Sequence, residues 1–361
     1  MRMQSTLLKC FYNILLLLCI IIFYSCRNGS DNLLDGPNTV VTGFPIEEVA
    51  IGKKMGLEIM GVNDIFIVDT FFIAFKASGY NDFFEVYSTN HLQPLGTFLS
   101  KGKGPDEFLS ITYKNEYLHT PQGIKLWISD FTLNKRCCFN LTKSVARGIT
   151  VLDTVFHLCQ EGVVLNLNDS VRLVKSSVPG NILFRLQDKK NLDFLSEYEI
   201  LKSYIPRYTS DVSLSMDVCK HPSRNLVVGN MLFFNQINFF DFDKKKQFSI
   251  SYGLPIDIFE TAKLSDAKLK MYYSATVPTE NYIYALYVNR QMEGFPHFEN
   301  GVEIHIFDLN GHAVKKISIP ENIHYFAVDE NNEFIYGLNS QEEIFQYPLS
   351  DDGEIFNSKI L

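Results

Sequence analysis

The chain has 361 residues, 46% of them hydrophobic, with a formal charge of −8 and a pI near 5.5. That length serves two ordinary domains or one large all-β domain. The basic residues are scattered, which excludes the concentrated positive stripe needed for nucleic acid, and 30 Phe with 18 Tyr favour strands.

The first element is a targeting segment. Met1 to Cys10 carries Arg2 and Lys9 and no acid, and Ile14 to Phe23 is an unbroken apolar run of ten residues. A charged start, a short apolar core and small residues at the end describe a secretory signal. As a helix the run spans about 15 Å, half of a bilayer core, so it predicts no permanent membrane span. Ser25-Cys26 at its end resembles a bacterial lipobox, which implies cleavage after residue 25 and lipidation of Cys26. Phe23 and Tyr24 are bulkier than the residues usual there. More than one acyl chain makes anchoring stable. Residues 26–38, rich in Asn, Gly, Ser and Asp, read as a flexible tether. Residues 39–361 read as the folded body.

Within the body, short apolar runs recur between polar turns, and no long helical period appears. Six hairpin-like copies each place an aromatic before a polar turn: Tyr87, Phe139, Phe184, Phe240, Phe307 and Tyr347. They lie 40 to 67 residues apart, and each of several is preceded by another strand pair, such as "GIKLWISD" or "HYFAVDENNEFIYGLN". Self-similarity on that scale is the pattern of propeller blades. The expected fold is therefore an all-β, six-bladed β-propeller. Too little chain follows Asn339 for a full last blade, so Thr39 to Ile51 is expected to supply the missing strand and close the ring. "NRQMEGFPHFENG", residues 289–301, reads as an inserted loop.

One stretch, "LSKGKGPDEFLS", raises the question of a phosphate loop. Gly102 and Gly104 are two apart, no Lys-Ser/Thr follows, and Pro105 removes a donor. It reads as a blade-to-blade connector: Gly102 and Gly104 taking positive φ, Pro105 stiffening the exit, Asp106 and Glu107 capping free N–H groups, and Phe108 wedged between blades. "GTFLSKGKGPDEF" also resembles the hallmark of the TolB-like, six-bladed propeller lipoproteins of Bacteroidetes, with Asp106 where that family more often has Gly. The resemblance implies the fold and a lipid-anchored place in the cell envelope, on the periplasmic or surface side of a membrane. It implies no reaction.

Chemistry is sparse. None of the eight histidines falls in a ligand-spaced cluster, so no metal site is expected, and no cofactor. His305, alternating with Ile304 and Ile306, reads as solvent-facing. Cys137, Cys138, Cys159 and Cys219 have no framework spacing and read as buried thiols. Trp127, Lys101 and Lys103 are the candidate binding residues: the indole by stacking at a channel mouth, the lysines by meeting an anion. The reading is a membrane-tethered, non-enzymatic module binding or scaffolding a glycan, peptide or envelope protein. The alternative is a carbohydrate lyase or hydrolase using two channel carboxylates.

Overall fold

In a computed structural model of the chain, the described residues are 36–76, 80–158, 162–178, 181–200, 215–257, 260–261, 264–293 and 301–349. The signal at 1–25, the lipidation residue Cys26, most of the tether, Cys159 and most of the inserted loop lie outside them. Among the described residues the strands form six sheets. Blade 1 comprises Val62–Val68, Phe71–Lys76, Asp82–Ser88 and Pro94–Ser100. Blade 2 comprises Thr112–Thr120, Gly123–Asp130, Lys135–Asn140 and Leu152–His157. Blade 3 comprises Val163–Asn166, Val171–Val178, Asn181–Asp188 and Phe194–Glu199. Blade 4 comprises Met216–Lys220, Leu226–Met231, Gln236–Asp241 and Lys246–Tyr252. Blade 5 comprises Lys270–Pro278, Tyr282–Gln291, Val302–Asp308 and Ala313–Ile319. Blade 6 comprises Ile323–Val328, Phe334–Asn339 and Ile344–Pro348, completed from the other end of the chain by Lys53–Lys54.

The six repeat aromatics all sit on the third strand of their blade and all are buried. They and their neighbours pack across the seams: Phe184 meets Phe240 with ring centroids 4.7 Å apart, and Phe84 meets Phe139 at 6.1 Å. Each such pair is worth about 0.5–1.5 kcal/mol beyond the area it buries. A blade is therefore covered on both faces, and Lys135–Asn140 and Leu226–Met231 are buried at every position. This is why His305 departs from the sequence reading. Its side chain is 0% exposed, because the face opposite Ile304 and Ile306 also abuts protein.

The N-terminal segment forms a strap around three blades. Asn38–Val41 pairs in parallel with the outer strand of blade 4, and Ile46–Val49 does the same on blade 5. Lys53 and Lys54 then pair antiparallel with Gln346 and Phe345. The ring is closed by the N-terminal strand, but the closing residues are Lys53–Lys54 and not Thr39 to Ile51. Those earlier residues cover the edges of two blades already complete in themselves, a protection against open-edge pairing.

The glycine-rich connector also differs in detail. Gly102 and Gly104 do not adopt positive φ; Leu99 does, at 63°. The glycines are required by close approach. A Cβ on Gly102 would lie 1.9 Å from Glu107 Oε2, which accepts a hydrogen bond from the Gly104 N–H at 2.7 Å. The connector returns on itself through Gly102 N–H to Phe108 O at 2.9 Å. Phe108 is wholly buried among blade 1 and blade 2 side chains, with the Lys135 ammonium 3.9 Å above its ring. Lys135 also donates to the carbonyl oxygens of Pro105, at 3.0 Å, and Glu107.

In blade 2 the polar turn after Phe139 is a helix, Leu141–Arg147. Asn140 caps its start by accepting from Lys143 N–H, and Gly148 ends it at φ 66°. No helix among the described residues is long and apolar enough to cross a membrane.

Candidate functional site

The first strands of the blades surround a central channel of about 770 Å³, within the range of small-molecule sites. Regular strands would present alternate residues to it. Four of the six do not stay regular. Blade 1 shifts register between Val62 and Asp64, and blade 2 between Tyr113 and Tyr117. Blade 5 shifts on either side of Tyr273, and blade 6 between Ile323 and Tyr325. Bulges bend a strand and re-aim its side chains, and they gather beside functional sites. Here they bring Asp64, Lys114, Ser274 and Tyr325 to the channel wall, joined by Asp217 from the regular inner strand of blade 4.

The blade 2 bulge shows how the placement is fixed. Asn115 takes φ 52°, so Lys114 and Glu116 depart in different directions. Glu116 is buried; it accepts from Arg136 at 2.6 Å and from the Asn166 N–H of blade 3 at 3.1 Å. Lys114 faces the channel and donates to Asp217 at 2.5 Å, bridging blades 2 and 4 past the four-residue inner strand of blade 3. In blade 5, Tyr273 is held inside by His305 while Ser274 reaches the channel wall.

The electrostatics of this tier are unequal. Burial pushes the Asp64 carboxyl up to about 7, against a hydrogen bond from the Ile65 N–H and the attraction of Lys114. Burial opposes the Lys114 charge, yet the Asp217 carboxylate and its hydrogen bond hold the ammonium above its ordinary value. Burial lowers Lys175, whose Nζ donates to Met216 O nearby. Tyr325 presents its ring to the channel at 42% exposure. Further along the inner strand of blade 4, burial pushes the Cys219 thiol up to about 12, and its sulfur lies 3.1 Å from Thr276 Oγ1.

The opposite mouth carries a second polar group. His119 Nε2 lies 3.3 Å from Glu330, and Glu280 accepts from Ser223 Oγ at 2.8 Å. Burial first, then Glu330, raises the Tyr117 hydroxyl.

Residues 57–331 match the family described as TolB-like 6-blade propeller-like. The chain belongs to that TolB-like propeller family. Among solved structures, an exported protein of Bacteroides fragilis shares 13% identity with this TolB-like propeller over 86% of this chain and 99% of its own, with a TM-score of 0.50. A member of the DUF4221 family from Bacteroides vulgatus shares 9% over 86% of this chain and 94% of its own, with a TM-score of 0.47. Both likenesses concern the fold. No curated protein matches the sequence.

The TolB-like propeller places none of the three sequence-derived binding candidates on its channel. Lys101 and Lys103 lie exposed on the connector leaving the outer strand of blade 1. Trp127 stacks on Phe156 at 5.8 Å with the Arg136 guanidinium 5.3 Å from its ring, beside a crevice between blades 2 and 3. The channel residues escaped sequence reading because each is an ordinary Asp, Lys, Ser or Tyr whose direction depends on a bulge. "YKNEY", with three polar residues inside an otherwise strand-like run, carried the one visible signal. Cys137, Cys138 and Cys219 are buried free thiols.

Proposed function

We propose that this TolB-like propeller is an exported, lipid-anchored binding module whose ligand enters the central channel and rests on the tier of Asp64, Lys114, Asp217, Ser274 and Tyr325. The observation that carries the reading is the coincidence of register breaks in four of the six inner strands at one open, polar tier. A purely structural hub would have no use for it, and would fill the channel with apolar side chains. The lipobox-like Ser25-Cys26 supports the anchor. The test is binding by mature protein to a panel of oligosaccharides and peptides, measured by calorimetry, with labelling of Cys26 by a fatty-acid analogue in the producing bacterium. Absence of binding to every class, or binding unaffected by Lys114→Met and Asp217→Asn, overturns the channel reading.

A second reading rests on a specific pair. Burial pushes the Asp64 carboxyl of blade 1 up to about 7 while Asp217 of blade 4 faces an ammonium, so the channel offers two unlike carboxyls. Glycoside cleavage uses such unlike carboxyls. Turnover of a polysaccharide, abolished by either Asp→Asn change, would replace the binding reading with this one.

A further inference from the structure

We infer that the occupant of this tier is an uncharged, hydroxyl-rich ligand, a neutral oligosaccharide, which deepens the channel reading and rests on it. The first argument is charge. Lys114 is paired with Asp217, while burial favours the uncharged forms of Asp64 and of Lys175 beside the tier, so the described side chains there carry no large surplus of either sign. A charged ligand would have to break the Lys114–Asp217 pair or leave a charge uncompensated inside a partly desolvated channel, and both are costly.

The second argument is hydrogen-bonding capacity. An ammonium offers three donors and a carboxylate about four lone-pair sites. The pairing of Lys114 with Asp217 leaves part of both sets to a ligand, and Asp217 is nearly half exposed to the channel at 48%. Ser274 Oγ is buried without a partner among the described residues. Donors and acceptors thus stand together on one tier, and vicinal hydroxyls, each able to give and accept, match that mixture. An amine would use only the acceptors, and a carboxylate only the donors.

The third argument is shape. Tyr325, 42% exposed, presents its aromatic ring to the cavity. A sugar ring is apolar across its C–H faces and polar at its edge, so it can lie against an aromatic while its hydroxyls reach the charged pair. The volume of about 770 Å³ exceeds what a single monosaccharide fills.

The experiment titrates mature protein with maltohexaose, cellohexaose, xylohexaose and mannohexaose, with oligogalacturonate and a lysine-rich hexapeptide as charged comparators. At least one neutral oligosaccharide is expected to bind, with affinity changing less than about twofold between low and high salt, since no net charge is neutralised. Tyr325→Ala is expected to weaken it about tenfold, Tyr325→Phe by less, and Asp217→Asn about tenfold, with melting curves confirming that each variant folds. Binding of only the charged comparators overturns the neutral-sugar inference while leaving the channel reading intact. Binding of none overturns both. Neutral-sugar binding indifferent to Tyr325→Ala and Asp217→Asn places the sugar elsewhere and also overturns the inference.

Discussion

The hydroxyl of Tyr273 donates to Nδ1 of His305 at 2.9 Å, and Nε2 of the same ring donates to Glu303 at 3.0 Å. An ionised carboxylate can only accept, which fixes the proton on Nε2 and leaves Nδ1 for the tyrosine. The imidazole lies among Phe44, Tyr252 and Tyr287, with ring centroids 4.5 to 4.7 Å away. Phe44 belongs to the strap, so the buried relay joins the inner strand of blade 5 to the segment that encircles it. Beyond Glu303 stands Lys316, paired with Glu47 of the strap at 2.9 Å.

A pH dependence follows from this relay. Burial holds the His305 imidazole below its ordinary 6.5, against the opposing pull of Glu303. Its contribution is complete while the unfolded histidine is also neutral, and is lost as pH falls below about 6.5, where the unfolded chain takes up a proton that the fold resists. The neighbouring Glu303, lowered chiefly by the bond from His305, adds a loss of the same sign at lower pH. His305→Gln should destabilise by about 1–3 kcal/mol at pH 7.5, since it unsettles two buried polar partners. That difference should shrink by pH 5. Denaturant melts at both pH values measure it, and a constant difference would remove the histidine from the pH response.

Asp64 should act with the opposite sign. Its carboxyl is raised to about 7 in the fold from 3.8, so between those values the folded chain keeps a proton that the unfolded chain has released. Stability therefore falls as pH rises from about 3.8 towards 7 and levels off above, where both states are ionised. Asp64→Asn cannot ionise. The variant should melt furthest above wild type at pH 8.5, less so at pH 5, and near it only below about pH 4. A variant less stable at every pH would show instead that the carboxylate is ionised and held by Lys114.

Gly102 and Phe108 of the connector give a graded prediction. Gly102→Ala presses on Glu107 Oε2 and costs the bond to the Gly104 N–H, about 1 kcal/mol. Phe108→Ala empties a fully buried site between blades 1 and 2, about 3–5 kcal/mol. Both should leave channel binding unchanged in whatever fraction remains folded, because the connector lies at the outer edge of the ring. A phosphate-binding role would reverse the order, with Gly102→Ala the more damaging to function.

These cases show which features a sequence carries. The repeat aromatics were legible because each blade needs one large ring on its third strand, and Tyr87, Phe139, Phe184, Phe240, Phe307 and Tyr347 all meet that demand. His305 was misread because alternation signals solvent only when one face of a sheet is wet, and propeller blades are covered on both. The strap was misplaced because the parallel strands Asn38–Val41 and Ile46–Val49 look like any blade strand, whereas the two-residue Lys53–Lys54 pairing has no pattern to detect. The channel tier was hidden for a further reason. A bulge is a relation between two strands, and neither strand shows it alone.

The strap supports the last prediction. If closure were its whole role, Lys53–Lys54 would matter and residues 36–51 would not. The pairing geometry indicates otherwise: Ile46–Val49 runs beside Lys315–Ser318, Glu48 reaches Lys315 at 2.8 Å, and Phe44 covers the His305 relay. Phe44→Ala should therefore cost about 3 kcal/mol even though blade 6 keeps its closing strand. Removing residues 36–51 while retaining Lys53–Lys54 should lower the melting temperature further and expose the outer edges of blades 4 and 5, giving concentration-dependent association. Light scattering of the truncated protein checks this. A monomeric truncation that melts with wild-type cooperativity would reduce the strap to a tether, and would show that blades 4 and 5 hold their outer edges unaided.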